Sequence, residues 1–288
     1  MSHPRILIQL DSDPQPSVFD SVVAVDAGVD QLFRHGGVTP EQVQGLVHGA
    51  MFTRSPKHLE NTAIFIGGSD VAAGERLLEQ VQGSFFGPIR VSAMLDSNGC
   101  NTTAAAAVLV ASKQIALAGA TALVLAATGP VGARVTRLLA AQGATVRAAS
   151  RRLDRAEALC RRVADQIANA DLHPLQVDSE DSLSGAITGA QLVVCAGAAG
   201  VQLLPAAIRK QAADLKVAID LNAVPPLGIE GIEVTAAGVD DGGVTCFGAI
   251  GVGGTKMKIH HAAIRRLFAS NNQVLDAEQI FEIALQIA

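Results

Sequence analysis

The stretch Thr128-Gly129-Pro130-Val131-Gly132 carries the residue types and spacing that suit contact with a phosphate. Glycines let a backbone come close to an anion, and a helix that starts there presents free N–H groups and the positive end of its dipole. The spacing is that of a G-x-G-x-x-G turn with Ala127 in the first glycine's place. The same spacing occurs in plain tight turns, so the flanks decide. Ala122–Ala126 is an apolar run fit for a buried parallel strand, and Val131, Val135, Leu138 and Leu139 mark one face of a helix that Gly143 ends. Ala144–Ala149 reads as the next strand, which completes the first βαβ unit of a Rossmann-type fold.

The end of that second strand selects the nucleotide. An NAD site places Asp or Glu there to accept from the ribose 2′-hydroxyl. Here the residues are Ser150-Arg151-Arg152, with no acid before Asp154. Hydroxyl and guanidinium donors suit a 2′-phosphate, so the reading is NADP, with NAD still tolerated. The plainer alternative is that both arginines open a solvated helix, RRLDRAEALCRRV. Further on, the strand Gln191–Ala196 ends in Ala196-Gly197-Ala198-Ala199-Gly200, either a seat for the nicotinamide half or a simple strand–helix turn. The strand Val217–Asp220 runs into Asn222 and a rigid Pro225-Pro226 loop, which makes Asn222 a further cofactor candidate.

These turns need a sheet to hold them. Strands are expected at Arg5–Leu10, Thr62–Ile66, Arg90–Leu95, Leu172–Val177 and Val244–Phe247, alternating with helices. Ser17 and Thr39 are N-cap candidates, the second with Pro40 and Gln42 in a capping box. An alanine-rich helix over Ala104–Ala118 is too apolar to be freely solvated and is expected to lie buried between two domains. Gly248–Gly254 is expected to be a hinge or ligand cradle, with Thr255 capping a helix to Phe268 and a last helix from Asp276. The expected fold class is α/β and two-lobed. A Rossmann-type parallel-sheet domain over 105–255 binds NADP, and a smaller α/β substrate domain over 1–104 is completed by C-terminal helices over 256–288, with a cleft between the lobes.

Composition narrows the function. At 288 residues and 49% hydrophobic, the chain builds sizeable cores. A net charge of −5 with no long basic run argues against nucleic acid or an anionic membrane as partner. The start MSHPRILIQLD has no apolar signal core, which points to the cytoplasm. Cys100, Cys160, Cys195 and Cys246 form no paired set, and His260-His261 are adjacent rather than four apart, so neither a disulfide framework nor a metal site is expected.

Six segments together resemble one family: DSDPQPSVFD, TAIFIGGSDVAAGER, FFGPIRVSAMLDSNGCNTTAAAAV, AATGPVG, NAVPPLGI and GAIGVGGTKMKIHHA. In this order, over nearly the whole length, they look like the NADP-dependent methylene-tetrahydromethanopterin dehydrogenases of methylotrophic bacteria. The resemblance implies hydride transfer from a methylene bridge on a tetrahydropterin, tetrahydromethanopterin or tetrahydrofolate, to NADP or NAD. It also implies a homo-oligomer of trimeric type, a trimer or dimer of trimers.

The resemblance further implies that Lys256 meets the pterin, orienting its ring carbonyl rather than acting as a base, with Gly253 in the same segment. The amidine edge of a pterin calls for a carboxylate, Asp20 first and Asp96 second, with helix capping as the plainer account of Asp20. Asn98, Thr102 and Thr103 either line the cleft or cap the alanine-rich helix. Hydride loss leaves an amidinium cation and moves no proton, so no acid–base dyad is required. A related folate family hydrolyses the methenyl product with a Tyr and Lys pair. This chain has no Tyr, so cyclohydrolase activity by that route is excluded. Two alternatives share the layout: a two-lobed dehydrogenase of another small substrate, which needs a Lys–Asp proton-transfer pair, and a non-catalytic NADPH-binding regulator.

Overall fold

The computed structural model describes residues 3–288. In chain order the elements are β1 (Ile6–Asp11), α1 (Val18–Asp26), β2 (Gln31–His35), α2 (Pro40–Phe52), β3 (Thr62–Gly67), α3 (Val71–Gly83), β4 (Ser92–Leu95) and α4 (Cys100–Ser112). There follow β5 (Thr121–Leu125), α5 (Pro130–Ala141), β6 (Thr145–Ser150), α6 (Leu153–Gln166), β7 (Leu172–Gln176), α7 (Glu180–Ile187), β8 (Leu192–Cys195), α8 (Ala206–Gln211) and β9 (Val217–Asp220). The chain closes with β10 (Ala237–Asp241), β11 (Val244–Phe247), α9 (Ala249–Arg266), β12 (Val274–Leu275) and α10 (Ala277–Gln286). Two compact units result: Met1–Thr102 with Met257–Ala288, and Thr103–Lys256.

The first unit is a five-stranded parallel sheet in the order β12-β4-β3-β1-β2. The C-terminal segment completes it, because β12 pairs with β4 at the sheet's edge. Alternation along the strands sends Ile8, Leu10, Ile64, Ile66 and Leu95 to one core with α2 and α3. On α3 the buried residues Leu77, Leu78 and Val81 face that core, each such side chain contributing about 1.5–3 kcal/mol on burial. Helix starts follow the caps legible in the sequence. Ser17 Oγ accepts from the Asp20 N–H, and Thr39 and Gln42 form the capping box of α2.

The second unit has seven strands in the order β10-β11-β9-β8-β5-β6-β7, all parallel except β10, which runs antiparallel to β11. The strand order reverses beside β5, whose neighbours are β6 and β8. This is the doubly wound Rossmann arrangement, and the crevice at the carboxyl ends of β5 and β8 is where such sheets take a dinucleotide.

Three expectations change. The alanine-rich helix starts at Cys100 and ends at Ser112, earlier than 104–118 at both ends, and Ala104–Ala111 is buried. The strands β2, β10 and β12 have no counterpart in the sequence reading. Most consequentially, the glycine run after Gly248 lies inside α9, which begins at Ala249, so Thr255 caps nothing. Gly248 and Gly251 are there because backbone passes close by. A Cβ at Gly251 would lie 1.7 Å from the Ala236 oxygen, and one at Gly248 would lie 2.2 Å from the Glu233 oxygen. The Val234 carbonyl accepts from the Ile250 N–H, so the helix's first turn is used in holding the fold rather than in cradling a ligand.

Candidate active site

In the second unit the four strand-end turns converge. The Ala127 N–H donates to the Ala149 carbonyl at 2.9 Å, and the Gly129 N–H donates to the Ala126 carbonyl at 3.1 Å. Ala126 itself is left-handed (φ 55°), a conformation that costs about 1–2 kcal/mol in a non-glycine residue. The sharp bend thus falls one residue before Ala127, and a glycine is not needed there. Gly132 is needed: a Cβ would sit 2.5 Å from the Ala126 oxygen and 2.8 Å from the Ala127 Cα. Gly129 caps α5 with Pro130 at its first position, and Val131 is half-buried.

The neighbouring turns meet this one. Thr128 Oγ1 lies 3.5 Å from Ser150 Oγ, which joins the ends of β5 and β6. A Cβ on Gly129 would be 3.8 Å from the Ala196 oxygen, so the turn after β8 flanks the same opening. Gly197 packs against Leu203, whose Cδ1 would lie 2.8 Å from an added Cβ. Asn222 is buried, and its side chain is taken up by the loops: Nδ2 donates toward Ala198 and Pro226 carbonyls at 3.4 and 3.3 Å, and Oδ1 accepts from the Val224 N–H. Asn222 therefore fixes the turns around the opening.

Beneath them, buried Asp220 accepts from the Asn222 and Ile229 N–H groups at 3.0 and 2.9 Å. Burial holds its carboxyl above the usual range. Burial and the neighbouring Asp220 also push the Cys195 thiol up to about 12.

At the end of β6, Ser150 is buried and Arg151 and Arg152 are exposed. The Arg152 N–H donates to Ser150 Oγ at 3.3 Å, while the Arg152 guanidinium pairs with Asp154 at 2.6 Å. Arg151 lies at the same corner. A cradle that only glycine fits, a free helix start and two cations at the ribose corner fit NADP.

In the first unit the polar groups gather at the carboxyl ends of β1, β3 and β4. A Cβ on Gly67 would lie 3.0 Å from Asp11 Oδ2 and 3.6 Å from Asp20 Oδ2, so both carboxylates sit over one glycine. Asp13 accepts from the Ser69 N–H and hydroxyl at 2.9 and 2.8 Å, binding the β1 and β3 loops together. Asp96 is fully buried and holds α4. Its oxygens accept from the Asn101 and Thr102 N–H groups and from the Thr102 hydroxyl at 2.9, 3.0 and 2.6 Å. Asp96 and Thr102 are thus engaged with each other at the start of α4. Thr103 is half-buried in α4, and Asn98 is exposed and left-handed (φ 53°).

Lys256 is half-buried and lies about two turns into α9, beyond the reach of the dipole penalty at a helix start. Gly253 lies one turn before it, with open space around it. Four residues after Lys256, on the same helical face, His260 is fully buried and stacks on Phe65 at 5.8 Å, with Phe19 at 6.4 Å. His260, Asp11 and Gly67 were not among the expected site residues. The Lys256–His260 spacing was a usable signal for the first of them, once that segment is taken as helix.

Among the described residues no group of His, Cys, Asp or Glu is arranged to hold a metal ion, and no helix is long and apolar enough to cross a membrane.

The family model for the N-terminal part of methylene-tetrahydromethanopterin dehydrogenase matches residues 18–98. The chain is 46% identical over 286 residues to the bifunctional protein MdtA of Methylorubrum extorquens, covering 99% of each chain. It is 29% identical over 282 residues to the NAD(P)-dependent methylenetetrahydromethanopterin dehydrogenase of the same organism, covering 94% of this chain and 95% of that one. Among solved structures, quinate dehydrogenase from Corynebacterium glutamicum in complex with NAD aligns with a TM-score of 0.51 at 13% identity, covering 98% of this chain and 99% of that one, a likeness of fold. With the glycine cradle, the reversed strand order and this full-length similarity in hand, the chain belongs to the methylene-tetrahydromethanopterin dehydrogenase family.

Proposed function

We propose that the protein transfers a hydride from the methylene carbon of methylene-tetrahydromethanopterin, or of methylene-tetrahydrofolate, to NADP, leaving the methenyl form, and that it does not hydrolyse that product. The observation that carries this reading is full-length similarity to a family of that activity, joined to a nucleotide cradle with cations at its ribose corner.

Gly129, Gly132 and the α5 N-terminus would hold the pyrophosphate, with Thr128, Pro130 and Val131 shaping the turn. Ser150, Arg151 and Arg152 would take the 2′-phosphate, and Ala196 and Gly197 would leave room for the nicotinamide. Bound NADP supplies the hydride acceptor. Asp20 would accept from the pterin's amidine edge and Lys256 would donate to its carbonyl. Asn98, Thr103 and Gly253 are the further candidates for contact with the pterin. Because hydride departure creates a cation and releases no proton, positioning is what these side chains contribute. The resemblance supports a homo-oligomer as the working form.

The test is a spectrophotometric assay of purified protein with methylene-tetrahydromethanopterin and methylene-tetrahydrofolate, each with NADP and with NAD. Methenyl absorbance should rise with at least one pterin, faster with NADP than with NAD. No methenyl formation in any of these mixtures would reject the reading.

A further inference from the structure

β1 reads Ile-Leu-Ile-Gln-Leu-Asp, and its two polar residues are buried: Gln9 is 1% exposed and Asp11 0%. Buried polar groups are destabilising unless hydrogen-bonded, so their partners show what they are for. Apart from the bond between the two, their side-chain partners lie on the loop after β1 or on α1. Gln9 Oε1 accepts from the Ser21 hydroxyl at 3.1 Å, and Gln9 Nε2 donates toward the Ser17 carbonyl at 3.5 Å and toward Asp11 Oδ2 at 3.4 Å. Asp11 Oδ2 accepts from the Ser17 N–H at 3.1 Å, and Oδ1 accepts from the Asp13 N–H at 2.9 Å. Ser17 Oγ in turn accepts from the Asp20 N–H at 3.2 Å. Ser17 is thus held through its N–H and its carbonyl, and it holds Asp20 through its hydroxyl.

We propose that Gln9 and Asp11 are a positioning pair: they fix Ser17 and the first turn of α1, and so set Asp20 for the pterin. This rests on the assignment of Asp20 to the pterin made above. The pair acts by geometry alone, since the Asp11 bonds come from neutral N–H groups and Asp11 faces the Asp20 carboxylate across Gly67. Ser21 also accepts from Arg34 on β2 at 3.3 Å, which extends the network to the sheet edge.

The experiment is a double-mutant cycle on the full chain, with pterin and NADP kinetics and thermal melting measured together. Gln9→Met keeps the volume and removes the bonds to Ser17 and Ser21. Asp11→Asn keeps the shape and turns one acceptor into a donor facing N–H groups. Each should raise KM for the pterin roughly tenfold, more than it lowers kcat, while KM for NADP stays at the wild-type value. Asp20→Asn should raise the pterin KM at least as much, and adding Gln9→Met to it should change KM little further. If Asp11→Asn fails to fold, Gln9→Met and the milder Ser21→Ala carry the test. A wild-type pterin KM in Asp20→Asn would overturn the assignment of Asp20 itself. A raised KM in Asp20→Asn alone, with lowered melting as the only effect of the network variants, would overturn the positioning pair. So would full additivity in the double variant.

Discussion

Arg152 and Asp154 meet in a two-pronged pair, the guanidinium Nε donating to Oδ1 at 3.0 Å and Nη2 to Oδ2 at 2.6 Å. The bond holds the Asp154 carboxyl below its usual range, so Arg152 faces a charged competitor for any phosphate. Arg151 does not. Arg151→Ala should therefore raise KM for NADP roughly tenfold, from loss of a charge-assisted bond worth about 1.5–3 kcal/mol. Asp154→Ala should lower that KM by freeing Arg152. Neither change should move KM for NAD. Steady-state kinetics with both nucleotides check this, and equal losses for the two would remove the arginines from the 2′-phosphate.

Within α9, Gly251 and Gly254 should respond oppositely to the same substitution. Gly251→Ala drives a Cβ into the Ala236 backbone, and overpacking of this kind costs about 1–3 kcal/mol. Gly254 is exposed with nothing within 4 Å, so Gly254→Ala should stabilise the helix by about 0.5–1 kcal/mol. Urea unfolding of the two variants measures both signs. Destabilisation of similar size in both would return the run to the role of a hinge.

The difference between those glycines also explains what the sequence concealed. Four glycines in seven residues forfeit helix propensity. What overrides it is the passage of residues 233–236 against the helix, a long-range contact that local pattern cannot express. β2 was hidden for another reason. As an edge strand with Gln31, Phe33 and Arg34 exposed, QLFRH has no buried face to write an alternation. By contrast β5, α5 and β6 were legible, because strands buried on both faces and a glycine forced by close packing leave marks in the residues themselves. The turns proposed for the nucleotide carry the same marks. Gln9 and Asp11 were not, since a buried polar residue in a strand is informative only once its partners are known.

The four cysteines are all buried, and they should resist alkylation at pH 8 until denaturant exposes them. Cys195 adds a pH dependence. Its thiol stays neutral in the native fold to about 12, against 9.0 as the ordinary value, so the unfolded chain loses its proton first. Stability is unaffected below that ordinary value and falls as pH rises from there toward the native one, by up to about 1.4 kcal/mol per pH unit for this group. Cys195→Ala should flatten that alkaline loss while lowering stability at neutral pH. Urea midpoints at pH 7 to 10.5 test it, and an unchanged alkaline slope would contradict it.

Lys256→Met keeps the apolar stem and removes the donors. If the lysine orients the pterin, turnover should fall by about a hundredfold, since small misplacements of a hydride donor carry losses of that size. NADP binding, followed by fluorescence, should be preserved. A positioning role also leaves the pH–rate profile of the variant parallel to wild type, whereas loss of a general base would remove an ionisation. Wild-type turnover would place Lys256 outside the site.

The most direct test of hydride transfer follows the hydrogen itself. Methylene-tetrahydromethanopterin carrying two deuterium atoms on its methylene bridge is turned over with NADP in ordinary water, and the reduced nucleotide is analysed by mass spectrometry and NMR. One deuterium should appear at the nicotinamide C4, on one face of the ring, and the unlabelled reaction run in heavy water should place none there. Reduced nucleotide that takes its hydrogen from solvent, or methenyl product formed without label in the nucleotide, would contradict direct transfer between the two rings.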